Sequence, residues 1–263
     1  MTIEESRALL KEGTRKFAAS DWEGAVADFH RAGEELGRDG DRKGHCLALE
    51  MEGLALFNHG SLGRAVAVYF KSLRGREGLA DQLGFARLLF LLALAVQAQG
   101  KNAEAMTFAR RSLEQARGFE DYPFRAQLLN LLGNLEIEAG HAREAEEFLY
   151  EAVSAARTRK EPDMESQALS GLALMHAARG DLAQARRFAL RGLRLARKAR
   201  SRGSEATGRL RLGRVYAGMG LPARARRQLE GGLRLARAIR AAPLIVALES
   251  ALEGTRPRGP GAG

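Results

Sequence analysis

The side chains able to do chemistry are few and scattered. The histidines, His30, His45, His59, His141 and His176, stand in five different contexts, without the close spacing that metal ligation uses. His45 adjoins Cys46, but adjacency along the chain is not the geometry in which a base activates a thiol. No G-x-x-x-x-G-K-[ST] loop is present to cradle a phosphate, and Glu146–Glu147 reads as a solvated helix face. These positions are expected at surfaces and joints, so no catalytic residue, metal ligand or cofactor is assigned. The pair that packing does not demand is Asn130 and Asn134, in the stretch NLLGNLEIEAG. Four apart on a helix, they share one face. Each amide offers both a donor and an acceptor, which suits an extended peptide backbone. Gly133 sits between them, where glycine costs about 1 kcal/mol relative to alanine in a helix.

The elements that must position this pair are helices. The chain has 263 residues, 45% hydrophobic and 6% aromatic, with only 6 prolines. Good helix formers dominate, and runs of Val, Ile, Thr and Tyr are nearly absent, so the fold class is all-α. A single cysteine excludes an internal disulfide and points to a reducing cytoplasm. The polar opening MTIEESRALLKEG is not a signal peptide, and LLFLLALAV at 88–96 is too short to cross a bilayer. The net charge of +10 is placed unevenly: 18 Lys or Arg against 3 acids lie between Arg179 and Arg240.

A period of forty organises everything else. Stepping from Gly133 gives Gly13, Gly53, Ala93, Gly133, Ala173 and Gly213, all small. Stepping from Ala145 gives Ala25, Ala65, Ala105, Ala145, Ala185 and Ala225. The turn position reads Ser20, Gly60, Gly100, Gly140, Gly180 and Gly220. A further small position reads Ala32, Ser72, Ser112, Ala152, Gly192 and Gly232. Each unit is a helix, a turn and a second helix. In the fourth, helices are predicted over about 126–139 and 143–157, with Gly140 ending the first in a left-handed conformation. Asp41, Asp81, Asp121, Glu161 and Ser201, also forty apart, are expected N-cap or first-turn groups. Gly133 is expected to face a small residue of the second helix so that the two helices touch.

The pattern LLGN…EAGHAREAEEFLYEA resembles the tetratricopeptide repeat, in its extended 40-residue class similar to Pins-type adaptors and bacterial regulatory arrays. The resemblance implies a right-handed α-solenoid of six helix-turn-helix repeats over residues 6–45, 46–85, 86–125, 126–165, 166–205 and 206–240. A capping helix at 241–254 completes a single domain over 1–254, and a disordered tail follows at 255–263. The usual aromatic of the second helix is kept as Phe29 and Tyr69 but becomes Ala109, Leu149, Ala189 and Leu229.

The resemblance also implies that first helices line a concave groove. Its lining is then Phe17, Glu50, Leu54, Phe57, Asn58, Arg87, Phe90 and Leu94, followed by Gln127, Asn130, Asn134, Ile137, Gln167 and Arg214. Apolar spots between polar groups fit a peptide or a partner helix. The basic residues Arg186, Arg187, Arg191, Arg194, Arg197, Lys198, Arg200, Arg226 and Arg227 fall on second helices and form a convex patch. The expected function is a non-enzymatic, cytoplasmic protein–protein interaction adaptor, its partner carrying an acidic segment. Two alternatives stand beside it. One is a nucleic-acid-associated factor using the basic third, although few aromatic residues accompany the arginines for base stacking. The other is a peptide-sensing bacterial regulator, whose output would pass through a separate protein because about five residues precede the first unit. No membrane insertion is expected.

Overall fold

In the computed structural model, residues 3–255 are described; most of the tail expected at 255–263 lies outside them. Thirteen helices and no strands are found among the described residues: α1 (Ile3–Ala18), α2 (Trp22–Arg38), α3 (Arg42–His59), α4 (Leu62–Gly75), α5 (Gln82–Ala98), α6 (Asn102–Gln115), α7 (Tyr122–Glu138), α8 (Ala142–Thr158), α9 (Pro162–Ala178), α10 (Leu182–Lys198), α11 (Arg202–Gly218), α12 (Pro222–Ala238) and α13 (Ala242–Glu253). Odd-numbered helices from α1 to α11 are the first helices of six hairpins. The array is solenoid-like and falls into two compact units, Met1–Glu120 with α1–α6 and Asp121–Gly263 with α7–α13.

Local chemistry sets the helix ends. Asp41, Asp81 and Asp121 each accept the backbone N–H of the third residue on, capping α3, α5 and α7. Ser201 does the same for α11, whereas Glu161 makes no side-chain cap bond. Asp21 and Asp181 cap second helices, which the period did not single out. Helix α7 begins a turn before 126 because Asp121 caps it and Pro123 fits its first turn. Gly140 closes it at φ 83°, with the N–H of Gly140 and His141 donating to the carbonyls of Ile137 and Glu136.

Each hairpin closes on the small position, in a way that corrects the expectation. Gly133 faces not a small residue but Leu149, whose Cγ would lie 2.6 Å from an added Cβ. Gly13 faces the ring of Phe29, Gly53 the ring of Tyr69 and Gly213 the side chain of Leu229. In the two hairpins where the small residue is alanine, the residue sixteen later is also alanine: Ala93 with Ala109, Ala173 with Ala189. All four alanines are fully buried. The small position and its partner thus vary together, glycine taking a large partner and alanine a small one. A serine adds a polar tie across several of them: Ser72, Ser112 and Ser166 donate to the carbonyls of Cys46, Ala86 and Gly192 at 3.2, 2.7 and 2.8 Å.

Between hairpins, ion pairs recur with the period. Arg157 reaches Glu165 at 2.7 Å, and forty residues later Arg197 reaches Glu205 at 3.1 Å. In the second unit α7 packs on α9, α9 on α11 and α11 on α13, so first helices touch in succession. Helix α13 also packs on α12, and its Leu248 covers Gly232. The joint residue sits at positive φ in Gly40, Lys160, Arg200 and Arg240, but two positions earlier, at Gly78 and Gly118, where α4 and α6 end short.

The volume pairing has a direct test. Gly133→Ala should destabilise the chain by about 1–3 kcal/mol through overpacking. Leu149→Ala should cost about 2–5 kcal/mol through the cavity it leaves. Because each relieves the other, the double substitution should cost less than the sum, measured by urea denaturation; strict additivity would show that the two positions do not share one volume.

Candidate functional site

The expected groove residues divide between the two units, and those of the first unit are largely tied to its packing. Phe17 packs edge-on against Trp22, ring centroids 4.9 Å apart. Phe57 is half-buried against the cluster of Leu56, Tyr69 and Leu88. Leu54, Phe90 and Leu94 are half-buried and Arg87 is exposed. Asn58 donates its amide to the carbonyl of Leu54 at 2.9 Å.

Glu50, expected in the groove, belongs to the core. It is 8% exposed and accepts from Ser72 at 2.9 Å and from Arg76 at 2.7 Å. The Arg76 guanidinium, 5% exposed, also donates to Asp81 at 2.7 Å, and Asp81 in turn caps α5. A carboxylate at this helix position is carried inward because α4 brings a buried arginine to meet it, which the period cannot show. Burial alone would raise the Asp81 carboxyl, but the hydrogen bonds from Arg76 and the Gly84 N–H hold it below the usual range. A carboxylate depressed in the fold stabilises above its unfolded pKa, about 4, and that contribution is lost as pH falls through the lower folded value. Glu50→Ala should cost about 3–5 kcal/mol by leaving Arg76 partly unpaired in the core. Its urea midpoint should drop at pH 7, while Asp81→Asn should remove part of the loss of stability that the native chain shows below about pH 4.

The second unit presents a different face. Asn130 and Asn134 are half-buried on α7 and lie together as the spacing predicts. The Asn134 amide nitrogen donates to the carbonyl of Asn130 at 2.8 Å, which fixes the amide and turns its Oδ1 away. Both Oδ1 atoms are buried and have no hydrogen-bond donor within the described protein. They converge over Gly171 of α9: a Cβ added there would lie 3.0 Å from the Asn130 Oδ1 and 3.5 Å from that of Asn134, besides meeting Leu149. Gly171 thus lets Leu149 and the two amide oxygens pack closely on α9, leaving two buried acceptors that cost free energy while unpaired.

The opposite side of this face is cationic. Arg211 and Arg214, one turn apart on α11, interact electrostatically with Glu138 at the end of α7. Burial and the neighbouring charge of Arg214 pull Arg211 down to about 10, with Glu138 opposing. It remains charged at neutral pH, yet its buried Nε has no acceptor within the described protein. Glu138 is pushed above the usual carboxylate range by the surrounding protein, against the pull of Arg211 and Arg214. Arg211 was not among the residues expected in the groove. It stands two before the small Gly213, a register the period gives, but only packing shows that its Nε is buried. Gln167 is half-buried and donates to Asp163 at 3.2 Å, while Gln127 and Ile137 are half-buried on α7.

The expected basic patch is exposed throughout: Arg186, Arg187, Arg191, Arg194, Arg197 and Lys198 on α10, Arg200 just after it, and Arg226 and Arg227 on α12. Arg191 pairs with Glu165 at 2.9 Å and Arg197 with Glu205. Phe188, the ring amid these arginines, is stacked on His176 with centroids 5.1 Å apart. Among the described residues no group of three His, Cys, Asp or Glu could hold a metal ion, and no helix is long and apolar enough to cross a membrane.

Comparison with known proteins gives the arrangement a context. Two family profiles described as tetratricopeptide repeat match residues 84–158 and 166–204. A search of curated proteins finds no match. Among solved structures, a Rap protein complexed with competence and sporulation factor is similar over 97% of this chain and 86% of its own, at 15% identity and TM-score 0.70. NprR in complex with its cognate peptide NprX is similar over 96% of this chain and 74% of its own, at 16% identity and TM-score 0.72. BtubC from P. vanneervenii is similar over 95% and 96%, at 15% identity and TM-score 0.59. At these identities the likeness is one of fold.

Proposed function

We propose that this chain, which belongs to the tetratricopeptide-repeat proteins, is a non-enzymatic adaptor that takes an extended peptide segment of a partner protein on the face of α7, α9 and α11. The observation that carries this reading is the pair of buried, unpaired carbonyl oxygens of Asn130 and Asn134 over Gly171. A peptide backbone supplies N–H donors at the spacing of successive residues, and each would satisfy an acceptor that folding leaves unsatisfied. The structurally similar NprR is in complex with its cognate peptide NprX, which supports a peptide as the ligand.

The basic residues of α10 and α12 give less support to nucleic acid as the ligand. Positive surface is present, but Phe188 is engaged with His176 and offers no stacking platform to a base.

The test is a display selection of random heptapeptides on the full chain, followed by fluorescence anisotropy with the best binder. Asn130→Ala combined with Asn134→Ala should weaken that peptide about 10-fold or more, at ~1 kcal/mol for each hydrogen bond lost. The same variant should melt no lower than the parent by more than a few degrees, because it removes acceptors the fold itself does not use. Unchanged affinity would reject the face of α7, α9 and α11 as the binding site.

A further inference from the structure

The outward faces of α8 and α10 are opposite in charge at matching positions. A step of forty carries Glu147 onto Arg187, Tyr150 onto Leu190 and Glu151 onto Arg191. All six side chains are exposed. Tyr150 and Leu190, at 47% and 36%, are large apolar groups left in water at the same place in consecutive hairpins. Both helices pack on α9 within one compact unit, so the two faces are neighbours. One presents acid–aromatic–acid, the other base–aliphatic–base.

Such a surface is its own complement. A two-fold axis running between α8 and α10 and parallel to them lays α8 of one copy parallel to α10 of another, twice over. Every contact of residue i with j is then matched by j with i, as a closed two-fold interface requires. Glu147 meets Arg187 and Glu151 meets Arg191 of the other copy, and Tyr150 meets Leu190. The charges already have local partners: Glu147 with Arg143 at 3.3 Å, Glu151 with Arg125 at 2.6 Å and Arg191 with Glu165 at 2.9 Å. The Glu147 and Glu151 pairs are exposed and contribute only about 0–1 kcal/mol, so exchanging them costs little, and Glu165, 12% exposed, keeps Arg157 when Arg191 turns outward.

We propose that this face docks a second copy of the chain. The mixed polarity selects that occupant: a polyanion is repelled by α8, and a cationic partner is repelled by α10, whereas another copy satisfies both helices together. A helix of 17 residues is about 25 Å long. Two such faces bury on the order of 1,000 Å² in total, at the low end for a specific interface. The dimer is accordingly weak, in the micromolar range, and loosened by salt because its charges stay near solvent.

Charge reversal tests it on the full chain by sedimentation equilibrium, over roughly 5–200 μM protein and at low and high salt. The native chain should dimerise at low salt and dissociate by about 0.5 M salt, where screening lengths shrink to a few Å. R187E/R191E alone and E147R/E151R alone should each be at least tenfold weaker in self-association. Mixed one to one, they should form a heterodimer near native strength, because each then offers two faces of one sign to two of the other. That recovery also shows both variants to be folded, with circular dichroism as a check. A native chain that remains monomeric across the range overturns the proposal. So do reversal variants that dimerise as well as the parent, or a mixture that fails to recover.

Discussion

Every hairpin in the chain closes around one contact, between the small residue of the first helix and the residue sixteen positions on. Gly133 against Leu149 and Gly213 against Leu229 leave no room for a methyl group, and Ala93 against Ala109 shares the space evenly. Protein interiors are packed as tightly as crystals, so the separation of two helices is set by what stands at their closest approach. Matching a large partner to glycine and a small one to alanine keeps the hairpins alike, and alike hairpins stack. The propensity cost of a helical glycine is recovered in the dispersion contacts of the large side chain that fills its place. The joints, the serine ties and the forty-residue ion pairs all presuppose hairpins of equal build.

With the hairpins fixed, the rest of each helix surface is free to diverge, and arginine shows how far. Arg76 enters the core of the first unit, where Glu50 and Asp81 meet it with full hydrogen bonding. Arg211 is enclosed with its Nε unanswered, a different electrostatic state from the same side chain type. On α10 the arginines stay in water. The cross-helix position that pairs Arg125 with Glu151 in one hairpin pairs Glu165 with Arg191 in the next, the same geometry with the signs exchanged. Charge at these outer positions is thus interchangeable for folding and available for recognition.

The face of α7, α9 and α11 concentrates what folding leaves unsatisfied. Two amide oxygens and a guanidinium nitrogen are buried there without partners, flanked by a carboxylate raised by its surroundings. A protein that minimised its own free energy would place apolar groups at such sites. Polar groups left unpaired are instead suited to a ligand that brings the missing donors and acceptors.

By itself the sequence determined the all-α class, the forty-residue period, the turn at Gly140, the caps at Asp41, Asp81 and Asp121, and the sharing of one helix face by Asn130 and Asn134. These are local or periodic properties: propensity, capping and 3.6-residue geometry act within a few residues, and repetition makes them legible. Even the exchange of Gly–Leu for Ala–Ala pairs is written in the chain, sixteen residues apart, though only packing reveals that the two members touch. Tertiary structure alone decided the fates of Glu50 and Arg211. One carboxylate was drawn into the core by an arginine 26 residues away, and one guanidinium nitrogen was buried without an acceptor. Burial of a charge depends on what arrives from elsewhere in the fold, and a single helix face does not carry that information.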